Sequence, residues 1–296
     1  MLDYKLLAAL VAVVECGGFE RAAQILAISQ SAVSQRIKLL EARVGAPVLI
    51  RGGAPRPTPV GQRLMNHAQQ VRLLERDLQR DVPLAGEGAA QARLRIALNA
   101  DSLATWWAEA VAAVCEENDL VLELLVDDQD VALKRMRAGE VVGCLCATPE
   151  PVAGARSLLL GEMEYLAVAT PGYIARYFPQ GAWPVGVETA PAVVFGPDDK
   201  LQHSFLQAQG VAPHFHYHLC PSSEGFVRLL LAGLGWGMVP ALQVQEELAS
   251  GRLEELVPEQ RVRVPLYWHY WRSGGRLLER LTAGLARQAP RYLQGG

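Results

Sequence analysis

The sequence predicts a mixed α/β protein in three parts: a head dominated by α-helices, a single connecting helix, and an α/β body in two halves. Three observations predict it. Apolar residues recur at three- and four-residue intervals from Leu6 to Val44 and again from Leu64 to Leu78, whereas beyond residue 92 strand-like apolar runs alternate with helical segments. A chain of 296 residues that is 50% hydrophobic exceeds one core, since single cores stop growing at roughly 250–300 residues. Charge divides along the same line: residues 1–80 carry 11 Lys/Arg against 6 Asp/Glu, leaving about −8 on the rest of a chain whose net charge is −3. A basic head on an acidic body fits a polyanionic partner for the head alone.

Leu6, Leu7, Leu10, Val11 and Val14 give a helix over residues 3–15 one apolar face, and Gly17-Gly18 stops it. A second helix, from about Phe19 to Leu26, presents Ala22, Ala23 and Leu26, whose small alanines permit close helix approach. After a break that turns Ile28 inward, a third helix opens on Ser29 as N-cap and lines Val33, Ile37, Leu40 and Val44 along one face. Its other face presents Ser31, Ser34, Gln35 and Lys38. Two short helices joined by a tight turn, the second rich in amides and hydroxyls at its start, form a helix-turn-helix whose second member fits a DNA major groove. Gln pairs with adenine, Arg with guanine, and Ser with phosphates, which nominates Ser29, Gln30, Ser31, Ser34, Gln35, Arg36 and Lys38 for DNA contact. A three-helix core with an uncharged surface would show the same apolar spacing.

Residues 46–51 read as a strand and GGAPRPTP as a turn into a second extended segment. Such a hairpin is a wing, with Arg51 and Arg56 laid against phosphates or in a minor groove, so residues 1–58 read as a winged helix-turn-helix. Thr58 caps and Pro59 opens the next helix, where Leu64, Ala68, Val71, Leu74 and Leu78 form a narrow stripe with Arg63, Arg72, Arg76 and Arg80 outside it. That stripe serves equally for pairing two chains or for burial against its own domain. Residues 59–86 are assigned to this linker and residues 83–92, rich in Gly and Ala, to a hinge.

The body, residues 92–296, begins with the alternating strand ARLRIALNA, a helix over residues 101–117, the strand VLELLVDD, a helix over residues 128–138 and the strand VVGCLCA. That order argues for a parallel sheet with covering helices. A similar alternation follows: LAVAT, PGYIARYF, PAVVF, a helix around residues 201–209, YHLC, a helix over residues 224–232, and WGMVP. The halves divide into about 92–161 with 266–296, and about 162–265. Ligands of open α/β sheets sit beyond the carboxyl ends of strands, which nominates Asn99, Asp101 and Ser102; Asp127 and Asp128; Ala147 and Thr148; Asp198 and Asp199; and Ser222, Ser223 and Glu224. The serines stand at helix starts, which favour a carboxylate, and the aspartates favour a cation. A basic amino acid would satisfy both sets. Taken singly, each of these residues also serves as a cap or a solvated loop.

The run A-A-x-x-L-x-I-S-Q-S-A-V-S-x-x-I-x-x-L-E from Ala22 to Glu41, followed by G-x-P-V-L-I-R, resembles the DNA-binding signature of LysR-type transcriptional regulators, and length and layout agree with that family throughout. Leu49-Ile50-Arg51 stands where many members have Phe, a conservative change in packing. The resemblance implies a dimerising linker helix, a periplasmic-binding-protein-like effector domain, and a homodimer or homotetramer on promoter DNA, with RNA polymerase a further partner. GFERAAQ (18–24), NADSLATW (99–106), RAGEVVG (137–143), SSEGFV (222–227) and LYWH (266–269) are similar to the ArgP branch of the family, also called the inhibitor of chromosome initiation type. That likeness implies a response to arginine or lysine, control of basic amino acid export and biosynthesis genes, and effector contacts around Ser102. A LysR-type regulator of another effector, or an architectural DNA-binding protein whose body only oligomerises, fits the same head.

Other classes find little support. Neither a G-x-S-x-G turn, a phosphate-binding glycine loop nor an HExxH motif is present, so no enzyme and no cofactor beyond the small-molecule effector is expected. The five cysteines are odd in number and lack CxxC spacing, and Cys144 and Cys146 share one face of an apolar strand, so buried thiols of a cytoplasmic protein are expected. His214, His216 and His218 share one face if their segment is a strand; metal binding there competes with plain exposure. No apolar run reaches the roughly 18–20 residues of a membrane span.

Overall fold

The structure is a computed structural model that describes residues 3–50, 52–81, 92–127, 129–181, 183–258 and 260–295. Arg51, Asp128 and all of the expected hinge except Ala92 lie outside the described residues. The head packs α1 (Tyr4–Glu15), α2 (Phe19–Ile25) and α3 (Gln30–Val44) around Leu6, Leu10, Ala22, Val33, Ile37 and Leu40, each at most 3% exposed. Burying such side chains contributes roughly 1.5–3 kcal/mol apiece before chain entropy is charged. Asp3 caps α1 by accepting from the Lys5 amide, and Ser29 caps α3 by accepting from Ala32 at 3.2 Å. The α2–α3 turn puts Ala27 at φ 51, a left-handed conformation that costs a non-glycine residue about 1–2 kcal/mol. The amides of Ala27 and Ile28 close that turn onto Gln24 and Ala23.

The expected strand over residues 46–51 is shorter: β1 is Leu49–Ile50, paired antiparallel with β2, Arg56–Pro57. Pro47 and the Glu41 side chain explain this, because Glu41 accepts from the Val48 amide and Thr58 donates to the Pro47 carbonyl, so the preceding residues are held as a bend. Gly52 and Gly53, at φ 130 and 134, make the turn that residues with a Cβ rarely adopt. α4 (Pro59–Asp81) begins where Thr58 accepts from Gly61 at 3.1 Å. Its stripe divides: Ala68 is buried with Met65 in the head core, while Leu74 and Leu78 are 49% and 60% exposed. The Asn66 side-chain amide donates to the Ala138 carbonyl, tying α4 to the body.

The body carries β3 (Ala92–Leu98), α5 (Ala100–Thr105), α6 (Trp107–Glu117), β4 (Leu120–Val126), α7 (Gln129–Ala138), β5 (Gly143–Cys146) and β6 (Ala155–Ala169). There follow α8 (Pro171–Tyr177), β7 (Ala192–Val194), α9 (Leu201–Ala208), β8 (Tyr217–Leu219), α10 (Ser223–Leu231), β9 (Gly237–Pro240), α11 (Gln245–Ala249), β10 (Glu254–Glu255), β11 (Val262–Trp271) and α12 (Gly275–Gln288). The single helix expected over residues 101–117 is broken at Trp106, a fully buried side chain whose backbone links α5 to α6.

Parallel pairing holds for β3 with β4 and β5, and for β7 with β8. The rest departs from the expected all-parallel halves. β6 is 15 residues long and antiparallel to β11, which inserts between β6 and β5 in the order β10-β6-β11-β5-β3-β4, with β9 on β6. Local alternation cannot reveal a strand that returns from the end of the chain. The β6–β11 ribbon joins both halves; its register shifts at Leu266/Tyr267, and Gly161 faces that shift at φ 136. A Cβ at Gly161 would lie 2.7 Å from the Leu293 side chain, because Glu162 and Gln294 exchange backbone hydrogen bonds of 2.8 and 3.0 Å there. The main core gathers Trp106, Trp107, Trp236 and Trp268, with the Trp268 indole donating to Thr282 at 2.9 Å.

Candidate functional site

Two regions carry candidate chemistry. On α3, Gln30, Ser31, Gln35 and Lys38 are exposed, Ser34 and Arg36 half-buried, and Val33, Ile37 and Leu40 are turned into the core. The helix therefore presents its amides, hydroxyls and cations outward without loss of its anchor. Ser29 and Ser31 hydroxyls lie 2.9 Å apart at the helix start, next to its free amide end. Arg56 is exposed on the wing beside exposed Ile50.

In the body, the nominated residues separate. Asp101, Ser102, Asn99 and Ser223 come together where α5 meets α10. The Ser223 hydroxyl donates to Asp101 Oδ1 at 2.8 Å and the Tyr165 hydroxyl to Asp101 Oδ2 at 2.9 Å, so one carboxyl joins α5 to α10 and to β6. Gln243, in the turn Ala241–Gln243, lies with Oε1 3.1 Å from the Ser223 hydroxyl and donates through Nε2 to the Ser223 carbonyl at 3.1 Å. Burial pushes Asp101 above the usual carboxylate range, against the hydrogen bonds from Ser223 and Tyr165, and the like charge of Asp199 adds to the rise. Burial, with Asp101 alongside, holds Tyr165 well above the ordinary phenol range, so it remains a donor. Beside this cluster, Ser102 Oγ, Asn99 Oδ1 and Trp106 Nε1 are buried and make no hydrogen bond to the described residues. A buried hydroxyl left this way costs about 1–3 kcal/mol, a cost that a ligand's polar group offsets.

Other nominees have local duties. Asp127 accepts from Arg135 Nε at 2.5 Å and Nη2 at 3.2 Å, so its charge is met within the chain by Arg135. Ser222 caps α10 by accepting from Gly225, and Asp199 accepts from the Phe195 and Leu201 amides. The Thr148 carbonyl contacts His269 Nε2 at 2.7 Å; Asp198 and Glu224 are exposed. His214, His216 and His218 are all exposed, and β8 begins only at Tyr217, so the condition that the three share one strand face is not met. Among the described residues no His/Cys/Asp/Glu group could hold a metal ion, and no helix is long and apolar enough to cross a membrane. Cys144 and Cys146 are buried, as expected. A cavity of about 240 Å³ between Arg156, Trp271, Arg272 and Glu279 includes none of the nominated residues.

Sequence reasoning missed Tyr165 and Gln243. Tyr165 is the lone hydroxyl in the apolar run YLAVA, a usable signal; Gln243 gave none.

Known proteins resemble both regions. The family profile described as bacterial regulatory helix-turn-helix protein, lysR family, matches residues 4–62, and the LysR substrate binding domain matches residues 87–287. The HTH-type transcriptional regulator ArgP of Pseudomonas fluorescens strain Pf0-1 is 64% identical over 99% of each chain. Among solved structures, ArgP from Mycobacterium tuberculosis aligns over 100% of each chain at 35% identity and a TM-score of 0.86. Full-length LysG from Corynebacterium glutamicum, with the bound effector Arg, aligns over 99% of this chain and 100% of that one at 33% identity and a TM-score of 0.77.

Proposed function

We propose, on the premise that this chain belongs to the LysR family of DNA-binding transcriptional regulators, that its DNA binding is set by arginine or lysine held between the two halves of the body. The observation that carries the reading is the group of buried polar atoms without partners among the described residues, Ser102 Oγ and Asn99 Oδ1, beside the Asp101 carboxyl at the junction of the halves. Ser102 and Ser222, whose hydroxyls can donate, suit an α-carboxylate; Asn99 Oδ1, an acceptor, suits the α-ammonium group, and Asp101, which Ser223 holds, with Thr148, Asp198 and Glu224 as further acceptors, suits a cationic side chain. The arginine carried by the Corynebacterium regulator supports the choice of ligand.

Ser29, Gln30, Ser31, Ser34, Gln35, Arg36 and Lys38 read promoter DNA, with Arg51 and Arg56 on the adjoining backbone. The exposed Leu74 and Leu78 on α4 support pairing of two chains, which sets two recognition helices on one partly palindromic site. Dimers or tetramers in the cytoplasm, contacting RNA polymerase at genes for basic amino acid export and biosynthesis, complete the reading. Ligand control requires arginine to favour one arrangement of the halves over another. Thermal unfolding of the full chain against a panel of amino acids tests this. Arginine and lysine raise the midpoint and neutral amino acids do not; no change with any amino acid rejects the effector assignment.

A further inference from the structure

We propose that Asp101 is a proton-exchanging latch between the two halves, carrying a proton while hydroxyls are its only partners and releasing it when the cationic group of the effector arrives. The proposal rests on the reading above and adds to it a linkage between effector charge and proton. Three observations support it.

The first is position. Asp101 bonds residues 64 and 122 positions away along the chain, on β6 and α10, so its state is sensed by both halves at once. The second is the company it keeps. Tyr165 and Ser223 are neutral hydroxyls, no Lys, Arg or His forms an ion pair with Asp101 among the described residues, and Asp199, of like sign, adds its charge nearby. An ionised carboxyl in such a place is poorly compensated.

The third is a count of protons. The Ser223 hydroxyl has one hydrogen but two acceptor oxygens beside it, Asp101 Oδ1 at 2.8 Å and Gln243 Oε1 at 3.1 Å. Gln243 is oriented by its own amide, which donates to the Ser223 carbonyl. If Asp101 is protonated on Oδ1, it donates to Ser223, Ser223 donates to Gln243, and every oxygen is satisfied. If Asp101 is ionised, Ser223 must turn its hydrogen to the carboxylate, leaving Gln243 Oε1 against a lone pair. When a guanidinium or ammonium group binds, its N–H donates to Asp101, the carboxyl O–H breaks, and the proton passes to solvent. Ser223 then donates to the carboxylate. Burial raising the Asp101 proton affinity acts in the same direction.

The test is calorimetric titration of the full chain with arginine from pH 5 to 8, in two buffers of different ionisation enthalpy. Where free Asp101 is protonated, binding releases close to one proton and arginine affinity falls about tenfold per pH unit downward; release fades as pH rises. Asp101→Asn removes the release and weakens arginine about 10- to 100-fold. Asp199→Asn retains the release at lower pH, because a like charge has gone. Arginine binding with no proton exchange at any pH overturns the latch and leaves the effector reading standing. So does Asp101→Asn binding arginine as the parent does. If no basic amino acid binds at any pH, the effector reading itself falls and takes the latch with it. Should Asp101→Asn fail to fold, the two-buffer titration of the unaltered chain decides alone.

Discussion

The head and the body use polar residues in opposite ways. On α3 most polar side chains face outward, while Val33, Ile37 and Leu40 are the fully buried anchors of the helix, with Val44 packed beside them. In the body, the polar groups of interest face inward, and Asp101 is satisfied by residues 64 and 122 positions away. Stability and function are thus carried by different faces of one helix in the head, and by the same atoms in the body. Substitutions should therefore separate folding from binding on the outer face of α3 and at the unbonded Ser102 hydroxyl, and couple them at Asp101.

The sharpest test of that difference is Ile37→Ala. It opens a cavity in the small head core and costs about 2–5 kcal/mol, read by chemical denaturation, with DNA binding lost and arginine binding kept. Gln35→Ala costs about 1–3 kcal/mol of specific DNA affinity by anisotropy at fixed salt, with stability unchanged. Ser102→Ala inverts the pattern: it removes a buried hydroxyl that has no partner among the described residues, so unfolding stability holds or rises while effector affinity falls by about 1–2 kcal/mol. A pH series sharpens the comparison further. The Asp101 carboxyl is raised from its ordinary 3.8, so the folded state binds that proton more tightly. Its contribution is full below 3.8 and declines as pH rises through the raised value, a slope that Asp101→Asn flattens. The smallest effect belongs to the α2–α3 turn, where Ala27→Gly relieves a φ of 51 and raises head stability by about 0.5–1 kcal/mol.

Legibility followed the same division. The three head helices, the cap at Ser29, and the inward set Val33, Ile37 and Leu40 were readable because each depends on neighbours within one or two turns, whereas the cap at Asp3 was not read. The first body strands were readable for the same reason. The antiparallel insertion of β11 between β5 and β6 was not, since pairing partners such as His269 and Cys144 are fixed by topology rather than local pattern. At the junction, strand-end reasoning found Asp101, Ser102 and Ser223 but not Tyr165, which reaches them from mid-strand, nor Gln243. It also nominated Asp127, whose charge is met by Arg135 one helix later, a pairing that no spacing rule singles out.

The central claim is that a basic amino acid between the halves of the body changes how the head holds DNA. The direct test is titration of the full chain with labelled promoter DNA at one salt concentration, with and without saturating arginine. The account predicts a shift in apparent affinity or footprint with arginine, reproduced by lysine and needing about 5- to 30-fold more arginine in Ser102→Ala. An unchanged affinity and footprint, with arginine shown by calorimetry to be bound, would contradict it.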